Sequence, residues 1–440
     1  MPSRMHLISF LMHGPINHSI NSWTEPGDNR LEAMGSYAAW QDLARTLERG
    51  CFDAVFFADT PGVFDRYRER PDDALRYGVC WPCHDPMMLV PVMAAVTKNL
   101  GFAVTKSVSG VPPYALVREL STFDYLSGGR CGWNVVTGIL RGEHRALGSP
   151  LMAHDERYDR ADEYMEICRK LWSGIKPGSI VIDKERGIFA DPDKIELVAH
   201  DGRYFQCHTP PPVMPSAQGH PVIFQAGSSG RGQRFAVEHA EVMFSIQPHL
   251  EGMKRYIASV NAAAQQYGRV DPVRVTFGLQ VILGGTEEEA RRNQKRIAER
   301  IPIDAALSRL SGSLGVDFSV YELDRPLEEM ATDTSQGMMQ AMTAMVGGGR
   351  RMTLREVAMH WASSVGMKNV VGTPEQAADE LELLWRETGC FGFNISPTVN
   401  NGSVIDFVDQ VVPILQRKGV FRKAYAATTL RGNLLDDGSE

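Results

Sequence analysis

Cysteine is scarce in this sequence and odd in number: seven residues are scattered over 440. A disulfide framework is therefore not expected, and the thiols read as reduced. The one close pair, Cys80 and Cys83 in CWPCH, has no second Cys or His pair at matching spacing, so it does not complete a zinc site. Nor does it open a helix after a strand, as redox-active pairs do. No run reaches the roughly 20 apolar residues that a membrane span needs. The N-terminal MPSRMHLISFLMHG has no small-residue cleavage pattern, so a cytoplasmic protein without membrane contact is expected. The net charge is −7 with acids and bases mixed along the chain, which leaves no polybasic face for nucleic acid and favours a small-molecule partner. Repeats and low-complexity tracts are missing as well. With 43% hydrophobic and 22% charged residues, the chain carries no disorder signature.

What is present is an alternation of apolar or β-branched runs with helical periodicity. Eight runs read as strands: 6–12, 52–58, 100–106, 131–137, 221–226, 241–246, 275–283 and 391–396. Between them lie segments such as YAAWQDLARTLERG, whose terminal Gly50 suits a helix cap. Eight strands alternating with helices predict an α/β fold, a TIM (β/α)8 barrel formed by one domain over 1–440. The runner-up, an open doubly wound sheet, usually shows a glycine-rich turn after its first strand, whereas HGPINHSINSW follows here. Two stretches break the alternation, at about 174–220 and 301–372, and read as insertions walling the C-terminal face. The second holds Met330, Met338, Met339, Met342, Met345, Met352, Met359 and Met367, a set more simply read as helix packing than as an adaptable ligand surface.

Barrel chemistry sits at the C-terminal ends of strands, which places Asp59, Thr105, Lys106, Asn134 and Thr137 where a cofactor would lie. Taken singly, the threonines read as hydroxyls that satisfy loop backbone and Asp59 as a turn-former; their joint placement raises the functional reading. The strand PVIFQA runs into GSSGRG and then a helix, so free N–H groups, serine hydroxyls and a positive helix end face an anion. Gly227, Ser228 and Ser229 form the expected phosphate cradle, with Gly230 and Arg231 close by. His154 and Tyr158 lie one turn apart on an amphipathic helix and can address one ligand, though by themselves they read as a surface residue and a core aromatic.

LSGGRCGWNVVTG, then HDERYDRADEY, then QAGSSGRG, in this order, resemble the flavin-dependent oxygenases of the nitrilotriacetate monooxygenase component A type, within the bacterial luciferase-like superfamily. The resemblance runs from FDAVFFAD to FGFNISP, nearly the whole chain. It implies flavin contacts at Asp59, Thr105, His154, Tyr158 and Ser229, with Asn134 and Ser228 as neighbours. It further implies reduced FMN delivered by a separate NAD(P)H:flavin reductase, dioxygen, a flavin peroxide, a small organic substrate, a lid at 301–372 and a homodimer or homotetramer. The implied phosphate position departs from the usual barrel habit, in which phosphate sits after the last two strands.

One stretch departs from the family pattern: GILRGEHRALG (138–148) stands where relatives carry a serine and an alanine-rich stretch ending in Asn-Phe-Gly. Arg141, His144 and Arg145 there read either as contacts for an anionic substrate or as a solvated polar loop. A deazaflavin (F420)-dependent dehydrogenase or reductase on the same barrel is the alternative function.

Overall fold

The computed structural model describes residues 2–227, 230–326, 352–399 and 402–435. Thirteen strands form among them: β1 (His6–Met12), β2 (Ala54–Ala58), β3 (Gly101–Ser107), β4 (Cys131–Val136), β5 (Ile180–Asp183), β6 (Ile188–Ala190), β7 (Val198–Asp201), β8 (Gln206–Thr209), β9 (Val222–Gln225), β10 (Val242–Ser245), β11 (Arg274–Leu283), β12 (Lys368–Gly372) and β13 (Gly392–Ser396). Parallel pairing runs β1-β2-β3-β4-β9-β10-β11-β13 and returns to β1, a closed barrel of eight strands. These eight correspond to the eight runs expected from the sequence.

Helices on the outside are α1 (Tyr37–Arg49), α2 (Pro113–Leu126), α3 (His154–Ser173), α4 (Gly230–His239), α5 (Leu250–Gln266), α6 (Glu287–Glu299), α7 (Ile303–Leu314), α8 (Leu354–Ser364), α9 (Pro374–Thr388) and α10 (Leu430–Leu435). Local chemistry sets their ends. Ser36 accepts from Ala39 N at 3.3 Å to start α1, whose Trp40, Leu43, Ala44 and Leu47 form the buried stripe. Thr373 and Gln376 make a capping box around Pro374 at the start of α9.

Period-two alternation along the strands builds two cores from one sheet. Phe10, Phe56, Ala103, Phe224 and Phe244 fill the barrel, while Leu11, Phe57, Val104, Ile223 and Met243 meet the surrounding helices. The N-terminal end of the barrel is closed by α10, which adds Leu430 and Leu434 to the interior. A side chain at Gly101 would sit 2.4 Å from Leu430 Cδ1, so this close approach requires glycine. Beside it, buried Asp53 pairs with Arg422 and with His6 Nδ1 at 2.9 Å, and accepts from Leu7 N at 2.9 Å. Over the opposite, C-terminal end lies a further apolar cluster in which Met12, Ile16 and Phe64 pack with Leu307, Leu310, Leu354 and Val357.

The insertions depart from expectation. The 174–220 stretch is not a wall over the C-terminal face: it joins the end of α3 to the start of β9 and therefore leaves from the barrel's N-terminal end. Its hairpins, β5–β6 and β7–β8, include one that packs along α3, where Glu163 accepts from Tyr204 N and Phe205 N at 3.0 and 2.8 Å. The ring of Phe205 lies 5.4 Å from that of Tyr164 and 4.6 Å from the Arg160 guanidinium. The 301–372 stretch contains a strand that the sequence pattern did not reveal, β12, which pairs with Leu279–Leu283 of β11 outside the barrel. Of its methionines, Met352 and Met359 pack into the upper cluster and Met367 into the barrel interior. Met330, Met338, Met339, Met342 and Met345 lie outside the described residues.

Candidate active site

A cavity of about 610 Å³ opens at the C-terminal mouth of the barrel, in the size range of small-molecule sites. Its floor is made by the ends of β2, β3, β4 and β9, and its upper walls by Phe64, Leu140, Leu147 and Arg309. Gly62 and Gly142 clamp the rim: a Cβ on Gly62 would meet Glu143 N at 2.2 Å, and one on Gly142 would meet Val63 O at 2.2 Å. The loops after β2 and β4 thus touch backbone to backbone.

Asp59, Thr105 and Tyr158 line this cavity. Burial pushes the Asp59 carboxyl up to about 6, although the Cys83 thiol donates to it at 3.4 Å and Thr60 N at 2.7 Å. Thr105 donates to Phe57 O at 2.8 Å and accepts from Asn134 Nδ2 at 2.9 Å, which aims Asn134 along the barrel interior. Asn134 Oδ1 is buried without a partner among the described residues. Tyr158 lies 5.5 Å from the Phe235 ring and 5.5 Å from the Arg231 guanidinium.

His154 stands apart from that floor. Its ring is 5.2 Å from Tyr158, but the side chain is 48% exposed and Nδ1 pairs with Asp155 at 2.6 Å. Gly227 sits in a tight turn, where a Cβ would meet Gly232 O at 2.4 Å, and its carbonyl accepts from Tyr256 Oη at 2.6 Å. The chain then enters α4, with Arg231 held by Asp159 at 3.0 Å and by Asp162. Ser228 and Ser229 lie outside the described residues.

Several site residues escaped the sequence reading. Gln225 lines the cavity with its Oε1 buried and unpartnered; Asn394 of β13, away from the cavity lining, is fully buried with both amide atoms unpartnered among the described residues. Each is a lone amide in an apolar strand, VIFQ and GFNIS, and that is the signal that could have found them. Cys83 and Arg309 also line the cavity. The cations of the departing loop prove structural: Arg141 pairs with Asp65 and Glu69, Arg145 with Asp65, and His144 Nδ1 meets Ser149 Oγ at 3.2 Å.

An unpartnered amide oxygen on Gln225 in a largely apolar cavity, with Asn134 Oδ1 unpartnered in the neighbouring strand, suits a planar heterocycle with hydrogen-bonding edges, and a tight turn into a helix N-terminus suits a phosphate. A flavin mononucleotide has both parts, so the residues present fit it.

Residues 18–390 match the family model described as luciferase-like monooxygenase. The long-chain alkane monooxygenase of Geobacillus thermodenitrificans is 36% identical over 444 residues, covering 100% of this chain and 96% of that protein. Nitrilotriacetate monooxygenase component A of Aminobacter aminovorans is 34% identical over 403 residues, covering 90% and 89%. The crystal structure of DmoA from Hyphomicrobium sulfonivorans superposes with a TM-score of 0.91 at 35% identity, covering 99% and 93%. A coenzyme F420-dependent tetrahydromethanopterin reductase shares the fold alone, at 13% identity and a TM-score of 0.56. By sequence and structure together, the chain belongs to the luciferase-like monooxygenase family.

Proposed function

We propose that the protein is a flavin-dependent monooxygenase that takes reduced FMN as co-substrate and uses dioxygen to oxidise or oxidatively cleave a small organic molecule. The observation that carries this reading is the cavity at the barrel mouth, where Asp59, Thr105, Tyr158 and Gln225 converge, with Asn134 hydrogen-bonded to Thr105 behind them. When bound, the flavin supplies the activation of dioxygen. Asn134 and Gln225 offer buried amide oxygens to the donors of its ring, and Asp59, protonated below about pH 6, offers an O–H. Tyr158 and the turn at Gly227 lie toward the phosphate side, with Ser228 and Ser229 as its proposed ligands and His154 at the rim. Phe64, Leu140 and Leu147 exclude water above the reacting centre. A separate NAD(P)H:flavin reductase would deliver the reduced cofactor, a division of labour supported by the relative named as a component A. A homodimer or homotetramer is part of the proposal, as is a lid within 301–372. Among the described residues, no helix is long and apolar enough to cross a membrane.

The test is FMN binding by the purified chain in both redox states, followed by oxygen uptake with a generic flavin reductase. Tighter binding of the reduced form, weakened by Asn134→Ala and Gln225→Ala, is the expected result. No binding in either state would overturn the reading and redirect attention to deazaflavin.

A further inference from the structure

We propose that the substrate is an organic oxyanion, a carboxylate or sulfonate on an apolar body, and that Arg309 receives its charged end. This inference rests on reading the cavity as the flavin and substrate site.

Arg309 projects from α7 into the cavity wall and is only 8% exposed. Its guanidinium carbon lies 4.9 Å over the Phe64 ring, its Nη1 donates to Cys80 Sγ, and its Nε is buried with no partner. Among the described residues no carboxylate pairs with it. A thiol is a poor acceptor and carries no compensating charge, so the guanidinium is buried without a counterion, an arrangement proteins avoid unless a ligand supplies one.

Arg30 is buried likewise without an ion pair among the described residues, its Nη1 donating to Asn17 Oδ1, but it does not line the cavity; the other neighbouring cations are paired. Lys106 meets Asp85 at 2.9 Å and Glu119 at 3.1 Å, while Arg141 and Arg145 are neutralised by Asp65 and Glu69. Of the cavity's acids, Asp59 accepts from Cys83 and Thr60, and Asp85 is held by Lys106. Glu143 also lines the cavity, buried and with Oε1 unpartnered, but it belongs to the loop after β4 and makes no ion pair with Arg309. The nearby His18 imidazole is kept neutral by burial and by Arg309 itself, so it adds no second positive charge.

A planar fork with free N–H groups matches a carboxylate or sulfonate, and Phe64, Ile139, Leu140 and Leu147 provide apolar contact for the rest of the molecule. The substrate thus enters with its charge toward α7 and its body across the mouth of the barrel. Anion recognition falls to a helix of the insertion, not to the arginines of the loop after β4.

Calorimetric titration of benzoate, benzenesulfonate and benzamide tests this with the wild type, Arg309→Gln and Arg309→Lys, each with and without saturating FMN. The wild type is expected to bind at least one of the two anions about tenfold or more tightly than the neutral amide. The two anions separate carboxylate from sulfonate preference. Arg309→Gln should remove about ten- to a hundredfold of anion affinity, leave benzamide and FMN binding unchanged, and be partly rescued in Arg309→Lys. Equal binding of anions and amide overturns the proposal, as does an anion preference that survives Arg309→Gln. A loss of FMN affinity in Arg309→Gln matching the loss for the anions also overturns it, since the cation would then serve the cofactor. Anion binding by a wild type that ignores FMN would keep Arg309 in its role and discard the cofactor. FMN binding without anion preference would do the reverse.

Discussion

Asp59 is raised by burial to about 6, against about 3.9 for an unfolded aspartate. Between these values the native chain holds a proton that the unfolded chain has released, so the stability contributed by this group is fully present below about pH 4 and is lost as pH rises through about 6. Asp124, also raised by burial to about 6, contributes with the same sign. Asp59→Asn should therefore gain in melting temperature relative to the wild type as pH rises from about 4 to about 7, the Asp124 contribution remaining in both. Thermal melts across that range read it out. The rim glycines give a second prediction at this scale. Gly142→Ala drives a methyl into Val63 O, so it should weaken FMN binding through a displaced rim while the far-ultraviolet spectrum stays native. Sequence reading put forward Asp59, Thr105 and Asn134 because they stand toward the ends of apolar strands, and Tyr158 on the family resemblance. It could not find Arg309, whose meaning comes from lacking a carboxylate neighbour, a fact of three-dimensional packing that no spacing encodes.

Among the elements, the barrel strands were legible because each is a β-branched or aromatic run bounded by polar turns. Lys368–Gly372 was not, being short, led by Lys and Asn, and paired to β11 only outside the barrel. The hairpins within 174–220 were hidden for a related reason: three to four residues per strand are too few to establish a period. The face on which that insertion sits follows from which helix end it leaves, once α3 is placed. The small closing helix has the clearest energetic consequence. Leu430 is fully buried between Gly101 and Gly132, which have no side chains to collapse into a vacated space. Leu430→Ala should cost about 3–5 kcal/mol, toward the upper end for such truncations, read as a lowered urea midpoint at unchanged slope.

At the scale of the whole molecule, two apolar bodies meet at the cavity: the barrel with its helices, and the upper cluster joining α7, α8 and the loops after β1 and β2. The barrel strands are tied on both edges, whereas the upper cluster rests on helices and loops. Amides of α7 and α8 are expected to exchange with solvent before those of β3 and β4, and saturation with FMN should slow the first group more, as followed by native-state hydrogen exchange. Equal protection throughout would mean that the two bodies open as one.

The ten residues of β11 serve first as a barrel stave and then, from Leu279, as the partner of β12, so the chain comes back alongside the strand from which it departed. Because the two strands run parallel, the chain leaves at Leu283 and returns at Lys368, opposite Leu279, so the ends of the excursion are held about 14 Å apart by the β11–β12 ladder, independent of what lies between. Evolution could thus lengthen, shorten or exchange that excursion as a cassette without retuning the barrel, and a protein engineer could graft a relative's version at the same two seams.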